Sequence, residues 1–129
     1  MKNLLLLLLL FTGIVNGQIV NIPNTLLKEA LTGNACVDLN GDGIGDADAD
    51  TDNDGQIQFT EAEAVNGLYF GILLAGSGMT GLEAFTNLQH LQLSFISFTG
   101  VLDYTILPQL KTLNCSGTYA SGINVTGLS

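Results

Sequence analysis

The chain has 129 residues, with three basic and twelve acidic side chains for a formal net charge of −9, and 47% of it is hydrophobic. That balance excludes nucleic acid and anionic membrane as partners, because phosphate contacts need cations to displace counterions. The length allows one domain at most, and the aliphatic content is too high for wholesale disorder.

Residues 1–17, MKNLLLLLLLFTGIVNG, carry one cation, Lys2, ahead of an apolar run from Leu4 to Val15. Val15 and Gly17 suit the positions that a signal peptidase reads before a cut at Gln18. The run is far shorter than the roughly 20 residues a membrane span needs. It therefore predicts a secretory signal peptide and a secreted or cell-surface protein, with no membrane attachment after cleavage.

Residues 18–66 form the next unit, a predicted N-terminal cap. Asn24 as N-cap, followed by Leu26, Leu27, Ala30 and Leu31, predicts a short amphipathic helix that Gly33 stops. Thr60 and Glu63, three apart, predict a capping box on a second helix that Gly67 closes. Between them, seven aspartates fall in the seventeen residues from Asp38 to Asp54, with no lysine or arginine to offset them.

A helix–loop–helix calcium site wants oxygen ligands at loop positions 1, 3 and 5, glycine at 6, and a carbonyl at 7. A direct or water-mediated contact at 9 and a bidentate glutamate at 12 complete it. A loop starting at Asp50 meets every demand with Asp50, Asp52, Asp54, Gly55, the Gln56 carbonyl, Gln58 and Glu61. Neighbouring registers fail: a start at Asp46 puts Thr51 where glycine is needed, and one at Asp48 puts Phe59 at the bidentate position. A poorer loop starts at Asp38 and offers Asp38, Asn40, Asp42, the Ile44 carbonyl and Asp46, with Ala49 at its twelfth position. It is a candidate second calcium site. The bland reading of the stretch, a solvated acidic linker, leaves Gly55, Ile57 and Glu61 at those offsets unexplained.

Charge nearly vanishes over residues 67–129. FTNLQHLQL, from Phe85, and LPQLKTLNC, from Leu107, superpose with a shift of 22, bringing Leu88, Leu91 and Leu93 onto Leu110, Leu113 and Cys115. A weaker copy places Leu68 and Phe70 in the same register. This is the pattern of a leucine-rich repeat, which predicts an α/β fold: a short curved parallel sheet in a solenoid, entered through the helix–calcium loop–helix cap. Leu91, Leu93, Leu113 and Cys115 would point inward. His90, Gln92, Thr112 and Asn114 would face outward as a ligand face. Cys36 and Cys115 are permitted to pair by an exported location but are not required to.

GSGMTG, from Gly76, matches a dinucleotide-binding glycine pattern but precedes repeat sequence in place of a full helix. A dockerin-like module would need a helix after each calcium loop, and loops starting twelve residues apart leave no room for one. His90, the sole histidine, has no nucleophile or acid motif beside it, so no enzyme chemistry is indicated.

Taken together, VNIPNTLLKEAL, DTDNDGQIQFTEAEAV, FTNLQHLQL and LPQLKTLNCSG resemble the N-terminal part of secreted bacterial leucine-rich repeat surface proteins. The resemblance implies that the calcium-loop segment caps a repeat array. It also implies a truncated array here, because the family usually carries many more repeats. The function so implied is an extracellular, calcium-stabilised module that binds a protein or a glycan. The alternative is a structural cap for activity lying downstream.

Overall fold

A computed structural model describes residues 17–71, 75–76, 78–94, 97–98 and 101–127. The signal-peptide reading lies outside the described residues except for Gly17. Among the described residues no helix is long and apolar enough to cross a membrane.

Helix α1, Thr25–Gly33, begins where the sequence places it: Asn24 Oδ1 accepts the backbone N–H groups of Leu26 (3.1 Å) and Leu27 (3.3 Å). Those are two of the donors that a helix leaves unpaired at its start. Leu27, Ala30 and Leu31 form its buried face. Helix α2, Phe59–Ala64, has only six residues and starts earlier than expected. Its start is bridged by Glu61, whose Oε2 accepts the Gln58 N–H at 3.0 Å, so the expected Thr60–Glu63 box is not the one that forms. The helix is over before Gly67, which opens the first strand instead of closing the helix.

Strands β1 (Gly67–Phe70), β3 (His90–Leu93) and β6 (Thr112–Asn114) form a three-stranded parallel sheet. Leu68 lies opposite Leu91, and Leu91 opposite Leu113. Period-2 alternation sends Leu68, Phe70, Leu91 and Leu93 into the core, where each is at most 3% exposed. Two further parallel pairs stand apart: β2 (Ala75–Gly76) with β4 (Ser97–Phe98), and β5 (Val101–Asp103) with β7 (Gly122–Asn124). A three-residue 3-10 helix, Leu82–Ala84, follows the GSGMTG glycines.

The leucine-rich repeat solenoid with a helical cap is therefore corrected to a small α/β fold with, among the described residues, two short α-helices and small separate parallel sheets. The leucine spacing specifies the inward residues of β1 and β3 and which strands face each other. It does not make one sheet continue. Strands of two to four residues bury little surface each, and those in the connecting segments pair among themselves. The inward side also fails to close at β6: Leu113 and Cys115, expected in the core, are only half-buried. Cys36 and Cys115 are both free thiols.

The acidic segment is tied into this core from several sides. Val37 bridges both Ala47 and Leu68, so the chain at Cys36–Asp38 runs antiparallel along the open edge of β1. Tyr69 N–H donates to the Cys36 carbonyl (2.8 Å), and Asp38 N–H to the Gly67 carbonyl (3.2 Å). Gly45 permits the close crossing that follows: a Cβ there would run into the Ala35 carbonyl and come within 2.9 Å of the Cys36 Cα.

Candidate metal centre

The loop from Asp50 to Glu61 is positioned by backbone bonds at both ends. Ala49 N–H donates to the Leu31 carbonyl at the end of α1 (2.8 Å). Val20 N–H donates to the Ile57 carbonyl (2.8 Å), and Phe59 N–H to that of Gln18 (2.9 Å). Ile57, at loop position 8, is 1% exposed and anchors the loop in the core. Lys28 Nζ donates to Gln56 Oε1 at 2.7 Å, tying the middle of the loop to α1. Gly55 adopts φ +79°, the left-handed conformation that the sharp turn at position 6 demands.

Inside that frame the aspartates converge. Asp50 is 2% exposed; its Oδ1 accepts Asp54 N–H (3.1 Å) and its Oδ2 accepts Gly55 N–H (2.8 Å). Asp52 Oδ1 accepts Asp54 N–H (3.2 Å), and Asp54 Oδ1 accepts Gln56 N–H (2.8 Å). Asp50, Asp52 and Asp54 each place one carboxylate oxygen within 4.8 Å of the others. The cluster is geometrically able to hold a metal ion. Three like charges so close repel, and a cation reverses the sign of that energy. The Asp52 carboxyl is pushed above its ordinary value, chiefly by lost hydration and further by the charges of Asp54 and Glu61.

Gln58, at loop position 9, is 6% exposed and donates from Nε2 to Asp54 Oδ2 at 2.9 Å. Its Oε1 is buried with no hydrogen-bond partner among the described residues. A buried amide oxygen without a partner is costly, and this one belongs to a side chain already at the cluster. As placed, its Nε2 faces the carboxylates and its oxygen faces the start of α2, so a cation at the cluster would draw on that oxygen only if the amide turned over and gave up its bond to Asp54. The donor set is all oxygen and fits a hard cation.

Glu61, predicted as the bidentate ligand, is 8% exposed and is not one of the three clustered carboxylates. Its Oε1 accepts Thr51 N–H (2.7 Å), Thr51 Oγ1–H (2.8 Å) and Asp52 N–H (3.3 Å). It closes the loop by holding the segment after Asp50.

The Asp38 loop is a hairpin closed by the Val37–Ala47 bridge. Asp38 Oδ1 accepts the N–H groups of Asn40 (3.1 Å) and Gly41 (2.6 Å), and Oδ2 accepts that of Gly43 (2.8 Å). Asn40 Oδ1 accepts Asp42 N–H (2.8 Å), Asp42 Oδ1 accepts Ile44 N–H (2.9 Å), and Asp46 Oδ2 accepts Leu39 N–H (3.1 Å). Among the described residues, Asp38, Asp42 and Asp46 do not converge as the second trio does. Partial dehydration pushes the Asp38 carboxyl upward, but the N–H groups of Gly43, Gly41, Asn40 and Asp42 together outweigh it and hold it below its ordinary value.

On the outward face of the sheet, His90 lies opposite Thr112, and Gln92 opposite Asn114. His90 Nδ1 and Thr112 Oγ1 are hydrogen-bonded at 2.7 Å. Tyr69, opposite Gln92, belongs to the same row, and sequence reasoning missed it. The signal was present, since Tyr69 sits between the inward Leu68 and Phe70. Dehydration, then the Asp38 charge, raises its phenol above the ordinary value, so it stays neutral beside the first loop.

Comparison with known proteins adds no relative: no protein-family model, no curated protein and no solved structure matches this chain.

Proposed function

We propose that this chain is a non-enzymatic extracellular recognition module whose fold is stabilised by calcium in the Asp50–Glu61 loop. The observation that carries the calcium reading is the trio Asp50, Asp52 and Asp54 converging beside the buried, unpartnered Oε1 of Gln58. Calcium suits it better than magnesium. A set of carboxylates, an amide oxygen and the Gln56 carbonyl on a turning loop fits a cation that takes six to eight oxygens, whereas magnesium demands a near-ideal octahedron and retains its waters. The ion offsets carboxylate repulsion in the loop that joins α1 to α2. Its role is structural, because calcium outside cells varies little. Secretion through residues 1–17 would place the loop in that calcium. His90, Gln92, Thr112 and Asn114 form the face offered to a protein or glycan partner.

A thermal melt in ~1 mM calcium, repeated with excess chelator and with magnesium, tests this reading. A rise in midpoint specific to calcium, abolished in Asp50→Asn, is expected. Coincident melts in calcium and chelator would sink the claim.

A second reading, a structural cap for activity located downstream, draws on one observation. Cys36–Asp38 covers the β1 edge of the three-stranded sheet, while β6 has no further strand beside it among the described residues. A folded, calcium-loaded chain that binds no partner would favour it.

A further inference from the structure

Where the first acidic loop meets the sheet there is a cleft of about 360 Å3, lined by residues from Asp38 to Gly41 together with Asn66, Gly67, Gln89 and His90. That volume lies within the range of about 300–1,000 Å3 typical of small-ligand sites. We propose that this cleft binds a neutral saccharide, an inference that rests on the reading of the chain as an extracellular recognition module.

The chemistry of the walls selects the ligand. No lysine or arginine lines the cleft, Asp38 brings a carboxylate, and the Lys111 ammonium beside the lining is engaged by Gln89 Oε1, so an anionic ligand is disfavoured. A metal is not favoured either. Asp38 already accepts three backbone N–H groups, and among the described residues the one trio of metal-capable side chains lies elsewhere, at Asp50, Asp52 and Asp54.

What remains is a ring of neutral donors and acceptors held in place from behind. Gln89 Oε1 is occupied by Lys111 Nζ at 2.8 Å, which leaves its amide N–H groups as donors. His90 Nδ1 is engaged with Thr112, leaving Nε2. The Asn66 carbonyl takes the N–H groups of Gln89 (2.8 Å) and His90 (3.1 Å), fixing the backbone under its exposed side chain. A polyhydroxylated ring answers such a set, because each hydroxyl both donates and accepts: to Asp38, and from Gln89 and Asn66. Gly67 keeps the floor open, since a Cβ there would come within 3.0 Å of the Tyr69 ring and 3.4 Å of the Asp38 Cβ. Leu39, 71% exposed at the rim, supplies apolar surface for the C–H face of a sugar. A protein partner needs roughly 800 Å2 of its surface covered, and a cleft of this size does not provide that alone.

The test uses the secreted chain in calcium on an array of neutral and sialylated oligosaccharides and unglycosylated proteins. The best neutral hit is then titrated against the 15N-labelled chain. The proposal expects neutral hits. It also expects resonance changes centred on Asn66, Gly67, Gln89 and His90, and affinity lowered tenfold or more by Asn66→Ala and by His90→Ala. Glu29→Gln, on the exposed side of α1, should bind as the parent does. A silent array, hits confined to sialylated glycans or to proteins, resonance changes elsewhere, or undiminished binding by both variants overturns it. The resonance map is read on the parent chain, so it decides even if a variant does not fold. The calcium melt of the same samples keeps the two readings separate. A calcium-dependent midpoint with no saccharide binding removes the cleft alone, and saccharide binding without a calcium-dependent midpoint removes the calcium reading alone.

Discussion

Two adjacent loops open with nearly the same residues and dispose of their charge differently. Asp38-Leu-Asn40-Gly-Asp42-Gly43 and Asp50-Thr-Asp52-Asn-Asp54-Gly55 both turn through a left-handed glycine, Gly43 at φ +86° and Gly55 at φ +79°. The fourth residue is left-handed in both, Gly41 at φ +83° and Asn53 at φ +59°; what differs is that asparagine replaces aspartate at the third position of the first loop, where the N–H groups of Asn40, Gly41 and Gly43 point at Asp38. That carboxylate is satisfied by three backbone donors and sits toward solvent. In the second loop Asp50 is 2% exposed, accepts two backbone donors and faces two more carboxylates. Common spacing fixes the wrapping of the chain; burial and the third residue decide whether the carboxylates converge into a set able to hold a cation.

The largest expected effect breaks that comparison outright. If the second loop binds calcium at ~10 µM, then ~1 mM calcium stabilises the fold by about 2.7 kcal/mol, a rise in melting midpoint of roughly 10 °C. Asp50→Asn should erase the rise and Asp38→Asn should keep it, as read by calorimetry with and without chelator. A rise lost in both variants would mean that the loops form one site.

Next come two glycines. Gly45→Ala forces the chain against the Ala35 carbonyl and the Cys36 Cα, and should cost about 1–3 kcal/mol in urea melts whether or not calcium is present. Gly55→Ala meets nothing within 4 Å and pays only for its positive φ, about 1–2 kcal/mol, but it distorts the turn between Asp54 and Gln56. Its loss should therefore be accompanied by weaker calcium binding, and that of Gly45→Ala should not.

Acid titration in chelator sharpens the contrast in sign. The Asp38 carboxyl is held low by its N–H donors against the dehydration that opposes them. Its contribution is therefore present above the ordinary aspartate value of 3.8 and is lost as pH falls through the lower folded value. Asp52 is raised, chiefly by dehydration, so its folded state is favoured below 3.8 and loses ground as pH rises through the higher folded value. Denaturant melts from pH ~3 to ~5 should show Asp38→Asn removing a gain with rising pH and Asp52→Asn removing a loss. Slopes of the same sign would contradict the account.

How much of this was legible in the chain follows from the range of each interaction. Helix α1 was readable because Asn24 and the leucines act within one turn of each other. The inward setting of Leu68, Leu91 and Leu93 was readable because alternation in a strand is local. The positive φ at Gly55 was readable because the loop spacing demands it. The splitting of the strands into separate sheets was not, since it depends on which distant segments find each other. Nor was the hydrogen bond that Glu61 accepts from the Thr51 hydroxyl, ten residues back. The cleft needed Asp38, Asn66 and Gln89 to be brought together from three segments, and no spacing encodes that.

The smallest expected effect is kinetic and asks whether the loops open together. Cys36 is 2% exposed, its S–H donates to the Ala30 carbonyl at 3.3 Å, and burial, with the charge of Asp48 adding, pushes the thiol up to about 12. Only a thiolate alkylates, so at pH 8 Cys36 should react with iodoacetamide only through opened molecules, while the half-buried Cys115 is labelled ahead of it. Val37, the next residue, bridges both Ala47 and Leu68, so Cys36 reports on the strand that carries the first loop. If that loop is sustained by its own N–H donors and opens by itself, chelation should leave the rate of Cys36 labelling unchanged, whereas an opening that must first empty the second loop would be speeded by up to ~100-fold. Mass spectrometry of the labelled thiols gives both rates in one experiment. An acceleration approaching that factor would show that the first loop opens only when the second is emptied, and the two loops would then count as one cooperative unit.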